Sequence, residues 1–336
     1  MKAVVQERYG SPDDVLSLQE VDKPVPKDDE VLVRVRAASM HADVWHVVVG
    51  LPYILRLMGN GARKPKRLIP GTDLAGVIES VGKDVTRLKV GDEVFGESAK
   101  FGWYNGGAYA EYAAVPEELL VLKPSNITFE EAAAVPTSGI IALSNVGSAS
   151  KAGQNILING AGGAMGSLAI QIAKAQGARV TAVDCAAKLP MLRLLGADRV
   201  IDYAQENYLQ SGERYDLIVD VASILRRAEY QHALTPAGRY VPIGHAHYGK
   251  ATRWNGRIVG SLPYFIGRLL LMLLGPRKRR HFTIRNKLEV MTELQALLEC
   301  GKVKPIVAKT FPLGEVAVAM RCMQEGSTLG RIIITP

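Results

Sequence analysis

The 336-residue sequence predicts a two-domain α/β protein, a β-rich first half joined to a doubly wound parallel sheet. Three observations predict it. Up to about residue 125 the segments are short, alternate apolar with polar residues, and lie between frequent Gly and Pro. Beyond that point apolar runs of strand length alternate with stretches of helical period. The second half also opens with a glycine cluster set between a strand and a helix. The chain is long enough to bury a large core in two domains.

In chain order, EVLVRVRAAS (30–39), DLAGVIESVG (73–82) and GDEVFGE (91–97) read as strands of the first half. Apolar runs at 155–159, 179–183, 199–202, 215–220 and 238–243 read as the strands of the second. Helix-period segments, such as 165–176 and 186–195, lie between several of them, as βαβ units require. The closing RIIITP (331–336) reads as a strand that returns to the first domain. The expected division is 1–124, completed by about 305–336, and 125–304.

Composition excludes several classes. With 48% hydrophobic and 22% charged residues the chain is an ordinary globular one. Cys185, Cys300 and Cys322 are far apart and form no CxxC pair, which argues against a disulfide framework or a cysteine-rich zinc lobe. Unpaired cysteines suit a reducing compartment, and a cytoplasmic location is expected. The N-terminus MKAVVQERYG has no signal-peptide core, and no apolar run is long enough to cross a bilayer. A formal net charge of +8 raises the chance of an anionic partner only slightly.

The glycine cluster carries the most specific signal. NILIN (155–159) is a buried-strand run, and AGGAMG (161–166) follows it. Gly163 and Gly166 hold the second and third places of a G-x-G-x-x-G fingerprint, and Ala161 holds the first. Gly163 would let backbone approach a pyrophosphate, and Gly166 would allow tight helix–strand packing. Met165, Leu168, Ala169, Ile172 and Ala173 follow the spacing of one helix face. Ala161, Gly163, Ala164, Met165 and Gly166 therefore surround a helix N-terminus, where free N–H groups favour a phosphate. Gly177 ends the helix. Asp184 ends the next strand, 18 residues beyond Gly166, where a carboxylate accepts from the adenosine ribose hydroxyls. A carboxylate there repels a 2′-phosphate, so NAD(H) is favoured over NADP(H). Lys188, Arg179 and Arg199 argue the other way. Lys188 either pairs near the ribose or is a solvated helix charge. The plainer reading of the whole segment is a tight βα turn that binds no nucleotide.

IPGTDLAGVIESVGKDVTRLKVGDEVFGE (69–97), GGAYAEYAAVPEELLVLKP (106–124), AAAVPTSGIIAL (132–143), LGADRVIDY (195–203) and GRIIIT (330–335) together resemble the medium-chain dehydrogenase/reductase superfamily over essentially the whole chain. The resemblance implies a GroES-like catalytic domain, a Rossmann domain, hydride transfer in the cleft between them, and a homodimer. Zinc members of that superfamily place Cys in an early loop, His in a G-H-E motif, and Cys before the cofactor domain. Here those places read SMHADVWH (39–46), Gly71-Thr72-Asp73 and AAAVP, and the four-cysteine lobe is absent. Zinc needs three or four converging ligands. His41 and His46 have no evident third, so no metal is expected. The chain instead resembles the zinc-independent quinone oxidoreductase branch.

Without a Lewis acid a simple alcohol is a poor substrate, because nothing lowers its pKa. A quinone or an α,β-unsaturated carbonyl spreads incoming charge onto its own oxygen, so alignment and an oxyanion partner suffice. The expected partner is such a small electron-poor acceptor. In the branch's pattern the early loop carries Asn-Pro and then Asp. Here His41-Ala42 replace Asn-Pro and Asp43 stands one place early. His41 would contact the nicotinamide or donate to the acceptor. His46 and Tyr53 would supply a proton or stack on a ring. For each, the plainer reading is a satisfied structural side chain. By resemblance Thr137 contacts the nicotinamide, Ser223, Ile243, Gly244, Leu329 and Gly330 line the cofactor cleft, and Tyr203 lies near the adenine ribose.

LPYFIGRLLLMLLGPRKRRHF (262–282) is apolar and then basic. It reads as a buried helix with a solvated basic turn, a lid over a large apolar acceptor, or a peripheral contact with an anionic bilayer. ARKPKRL (62–68) is a second basic cluster. Neither has the aromatic interleaving of a nucleic-acid platform, so no nucleic acid is expected. Three other functions stay open. They are a metal-free alcohol dehydrogenase, a nucleotide-sensing protein without turnover, and a membrane scaffold attached through Arg277, Lys278, Arg279 and Arg280.

Overall fold

The computed structural model describes the chain apart from residues 54, 58–60, 101–103, 148–149, 223–226 and 245–284. The 262–282 segment and Ser223 therefore lie outside the described residues. The strands of the first half are β1 (Lys2–Gln6), β2 (Leu16–Glu20), β3 (Glu30–Met40), β4 (Asp73–Val81), β5 (Glu93–Glu97), β6 (Tyr112–Pro116) and β7 (Leu120–Leu122). Those that follow are β8 (Asn155–Asn159), β9 (Arg179–Asp184), β10 (Arg199–Asp202), β11 (Tyr215–Asp220), β12 (Leu234–Pro242), β13 (Val307–Pro312) and β14 (Arg331–Thr335).

The first domain is built on a seven-stranded sheet in the order β13-β14-β3-β4-β5-β7, with β6 also paired to β3. β3 shows why. Val31, Val33 and Val35 are buried on one side while Arg34 and Arg36 face solvent, the alternation of a sheet with one wet face. The C-terminal strand β14 sits between β13, to which it runs parallel, and β3, to which it runs antiparallel.

The second sheet has five described strands, all parallel, in the order β10-β9-β8-β11-β12. Numbered along the sheet's own sequence this is 3-2-1-4-5, the doubly wound order, whose switch point lies between β8 and β11. Ile156, Leu157 and Ile158 of central β8 are fully buried, as a strand covered on both faces requires. The fold is the expected one, a GroES-like β domain with a Rossmann sheet.

Helix 164–175 starts one residue earlier than its apolar period suggested, with Gly163 as N-cap. Met165, Leu168, Ala169, Ile172 and Ala173 are all buried. Gly177 follows with φ of 79°. Two expectations need correction. Residues 186–195 do not form one helix: a 3₁₀ turn covers Ala186–Lys188 and the α-helix begins at Leu189. Pro190 explains it, because it fits the first turn but could not give Ala186 its α-helical N–H donor. The strand expected at 238–243 begins at Leu234 and ends at Pro242, and a register shift against β11 absorbs Pro236 and Gly238.

Candidate active site

The glycine loop follows directly from β8. Gly160 has φ of 80° and donates its N–H to Val183 O at 3.0 Å. A Cβ on Gly166 would stand 2.5 Å from Gly160 O and 2.6 Å from Ala161 Cα, so only glycine lets this helix rest on its strand. No side chain caps the first turn of helix 164–175. Its leading N–H groups and the helix dipole are thus left to a ligand. Across the loop, Gly330 donates to Gly162 O at 3.0 Å and bridges Gly163. The next residue, Arg331, is 6% exposed, and its Nε has no partner among the described residues. An uncapped helix start on a glycine loop fits the pyrophosphate of a dinucleotide.

Asp184 ends β9 beside this loop, but its carboxylate turns onto the loop. Oδ2 accepts from Gly162 N–H at 2.7 Å and Oδ1 from Cys185 N–H at 2.8 Å. Lys188 Nζ stands 3.5 Å from Oδ1 and donates to Gly326 O at 3.0 Å. Both side chains are buried. Lys188 is therefore a committed ion-pair partner and not a solvated charge. Tyr203 is exposed, next to Asp184 through its backbone N–H. Ala161 is fully buried and donates to Val183 O. Ile243 donates to Asp220 O at 3.0 Å, and Gly244 follows with no room for a Cβ beside Val221 O. Leu329 is half-buried next to Gly330.

A second set of polar residues lies beyond Arg331. Asp73 on β4 is fully buried and faces Glu97 on β5 as its cross-strand partner. Thr137 donates its N–H to Asp73 Oδ2 at 3.2 Å, and its Oγ1 lies 2.5 Å from Asp73 Oδ1 and 3.0 Å from Glu97 Oε1. Ser39 donates to Asp73 Oδ2 at 3.2 Å, and Thr72 Oγ1 lies 3.3 Å from Oδ1. Thr72 Oγ1 is also 2.6 Å from His41 Nε2. Arg331 donates to Met40 O at 3.1 Å and to Ser138 Oγ at 2.5 Å, and its guanidinium stands 3.8 Å from Asp73 Oδ2. Lys287 pairs with Glu97 Oε2.

Burial governs the proton affinities here. It drives His41 down to about 4, and Arg331 adds to this against the pull of Asp73. His41 is neutral at pH 7. Asp43, 3.9 Å from His41 Nδ1, is pushed up to about 7 by burial and then by the charges of Asp73 and Glu97. Burial and Asp73 also raise Glu97, against Lys287.

The structure brings His41 and Thr137 into one network. Thr137 spends its hydroxyl on carboxylates. His46 is buried, and its Nδ1 donates to Leu51 O at 2.9 Å, which fixes that tautomer. Tyr53 is exposed with its ring over Arg56, 4.4 Å from the guanidinium, and is not part of the network. Sequence reasoning missed Asp73, Glu97, Thr72, Arg331 and Lys287. The one local signal was a carboxylate inside an apolar strand, in GTDLAG and in VFGE. Among the described residues no group of three His, Cys, Asp or Glu could hold a metal ion. The hydroxyl of Thr72 stands where a zinc member has its histidine, so the residues present do not fit that site.

Two family models match the chain: the alcohol dehydrogenase GroES-like domain over residues 27–125 and the zinc-binding dehydrogenase over 195–334. The chain is 34% identical to an NADPH-dependent alkenal/one oxidoreductase, chloroplastic, of Arabidopsis thaliana, covering all of this chain and 80% of the relative. It is 31% identical to a quinone-oxidoreductase homolog, chloroplastic, of Spinacia oleracea, covering 100% of this chain and 98% of the relative. Among solved structures it is similar to an NAD-dependent alcohol dehydrogenase, with a TM-score of 0.80, 27% identity and full coverage of both chains.

Proposed function

Because the chain belongs to the medium-chain dehydrogenase/reductase superfamily, in its quinone oxidoreductase-like branch, we propose that it transfers hydride from a nicotinamide dinucleotide to a quinone or an α,β-unsaturated carbonyl. The observation that carries this reading is the placing of two devices on consecutive residues. Gly330 closes the glycine loop, and Arg331 reaches into the polar network that holds His41. The loop and the uncapped helix start hold the pyrophosphate. Asp184 and Lys188 hold the adenosine ribose. The reduced nicotinamide, when bound, supplies the hydride.

The residues of this chain do the rest. Neutral His41 offers a ring N–H to the oxygen on which negative charge gathers. Asp43, held near neutrality, keeps a proton within reach of that ring. NADH is the better cofactor on this reading, because Asp184 places a carboxylate beside the ribose. The preference is modest, since Lys188 neutralises much of that charge.

The test is consumption of NADH and of NADPH, measured separately with a quinone, an enone and a ketone, in the wild type and in Asp184→Ser. Turnover of the quinone or enone with about tenfold preference for NADH, reversed in Asp184→Ser, is expected; a tenfold ratio corresponds to about 1.4 kcal/mol. Oxidation of alcohols with NAD⁺ in place of acceptor reduction would overturn the reading.

A further inference from the structure

The inference goes beyond the hydride-transfer reading and stands without it. We propose that the basic loop after helix 42–49 docks the protein peripherally on an anionic bilayer. Arg56, Arg63, Lys64, Lys66 and Arg67 meet lipid phosphates, and Leu57 and Leu68 enter the headgroup layer.

Between Asp43 and Asp73 the chain has five Lys and Arg and no carboxylate. The fold leaves that charge unanswered. Arg63, Lys64, Lys66 and Arg67 are exposed, and among the described residues no Lys or Arg between His41 and Lys83 forms an ion pair. Local contacts gather the cations. Gly61 has φ of 103°, and a Cβ there would strike Lys64 O and stand 3.3 Å from Lys66 Cγ. Its N–H donates to Arg56 O at 2.9 Å, and the Tyr9 hydroxyl donates to Gly61 O at 2.7 Å. The Arg56 guanidinium lies over both the Tyr9 and Tyr53 rings, at 4.2 and 4.4 Å, and its Nε donates to Gly50 O at 2.8 Å. A guanidinium fixed in this way presents its two Nη groups to a phosphate with little rotamer freedom left to lose. Further on, Pro65 is buried, Asn105 Nδ2 donates to Arg67 O at 2.7 Å, and Gln6 N–H donates to Leu68 O at 2.7 Å. The loop is therefore sewn to the first sheet and holds its charges in place.

Charge alone would suit any polyanion. The apolar side chains on the same loop decide between them. Leu57 is 71% exposed and Leu68 44%. A nucleic acid pairs with the cations but has nothing to offer an isobutyl group, and Arg56 already lies over the two tyrosine rings that could stack on bases. A bilayer takes both kinds of group, the cationic heads at the phosphates and the leucines at the acyl boundary. At the edge of the surface Glu7 and Arg8, which follow Gln6, cancel each other. No helix among the described residues is long and apolar enough to cross a membrane, so the contact is peripheral. The surface begins at the C-terminal end of the helix that His41 caps, about 12 Å away at 1.5 Å per residue. A docked protein thus holds its polar network close to molecules dissolved in the lipid.

The test is co-sedimentation of the full chain with phosphatidylcholine vesicles, with and without about a third of phosphatidylglycerol. The wild type is expected to bind the anionic vesicles and not the neutral ones. Salt at about 1 M, where the Debye length is about 3 Å, is expected to release it. A variant carrying Arg63→Gln, Lys64→Gln, Lys66→Gln and Arg67→Gln is expected to bind at least about a hundredfold more weakly. It is expected to melt at the wild-type temperature, because all four side chains are exposed. Leu57→Ser is expected to weaken binding about tenfold. Wild-type vesicle binding by the fourfold variant would overturn the proposal, and would place attachment at Arg277, Lys278, Arg279 and Arg280 if neutralising those abolished it. Tighter binding of single-stranded RNA than of the vesicles, unchanged by Leu57→Ser, would overturn it too, because the surface would then answer to charge alone. A wild type that binds neither vesicle would overturn it and leave the hydride-transfer function standing.

Discussion

His41 shows what one buried side chain does to the response of the protein to acid. Its folded pKa is about 4, below the ordinary 6.5. The folded protein therefore binds fewer protons than the unfolded chain between those values. Stability from this group is complete above pH 6.5 and is lost as pH falls through that window. Asp43 works in the opposite sense: raised from 3.8 to about 7, it contributes stability at low pH that is lost as pH rises through that interval. Replacing the histidine exposes the balance. His41→Asn is expected to retain about 3 kcal/mol more of its neutral-pH stability at pH 4 than the wild type does, a shift of about 2.5 pKa units at 1.36 kcal/mol each. Urea denaturation of both proteins at the two pH values measures it. Equal losses would mean that His41 is charged in the folded state.

At the scale of elements, helix 164–175 depends on one missing side chain. A Cβ on Gly166 meets only backbone atoms, which cannot swing aside. Gly166→Val is therefore expected to lose about 3 kcal/mol, the upper range for overpacking, and to lose dinucleotide affinity as the helix lifts from β8. Thermal melts and fluorescence titration with NADH check both, and retained affinity would separate the loop from the site. This element was legible in the sequence because its determinants are local. Strand, glycines, apolar period and terminal Asp184 fall within 30 residues. Helix 186–195 was misread although Pro190 was in plain view, because the apolar period outweighed a single breaker. The Asp73–Thr137–Glu97 cluster was not legible at all. It joins residues 64 and 40 apart, and Lys287 joins from 190 residues away. Strand register sets those meetings, and no local pattern of residue types encodes it. The direction of the Asp184 carboxylate was missed for a related reason: it depends on a backbone N–H, which is the same for every sequence.

At the scale of the whole molecule, the two halves are tied by the last strand. Ile332, Ile333 and Ile334 of β14 are 2%, 0% and 0% exposed, and the strand fills the place between β13 and β3. Each buried isoleucine contributes roughly 1.5–3 kcal/mol, against a total stability of about 5–15 kcal/mol for a typical protein. A chain ending at Gly330 is expected to lose its cooperative unfolding transition and its NADH binding together, read by circular dichroism and fluorescence. A cooperative melt in that truncated chain would show that the first sheet stands without β14.

The position of β14 also bears on how the fold can be divided. Residues 1–124 supply most of the first sheet, yet the strand between β3 and β13, the glycine that bridges the nucleotide loop and the guanidinium beside Asp73 are all drawn from residues 330–335. Six consecutive residues thus clasp three separate parts of the molecule. A fragment that lacks them can keep the strands of the Rossmann sheet, but it has nothing to hold the glycine loop against the polar network.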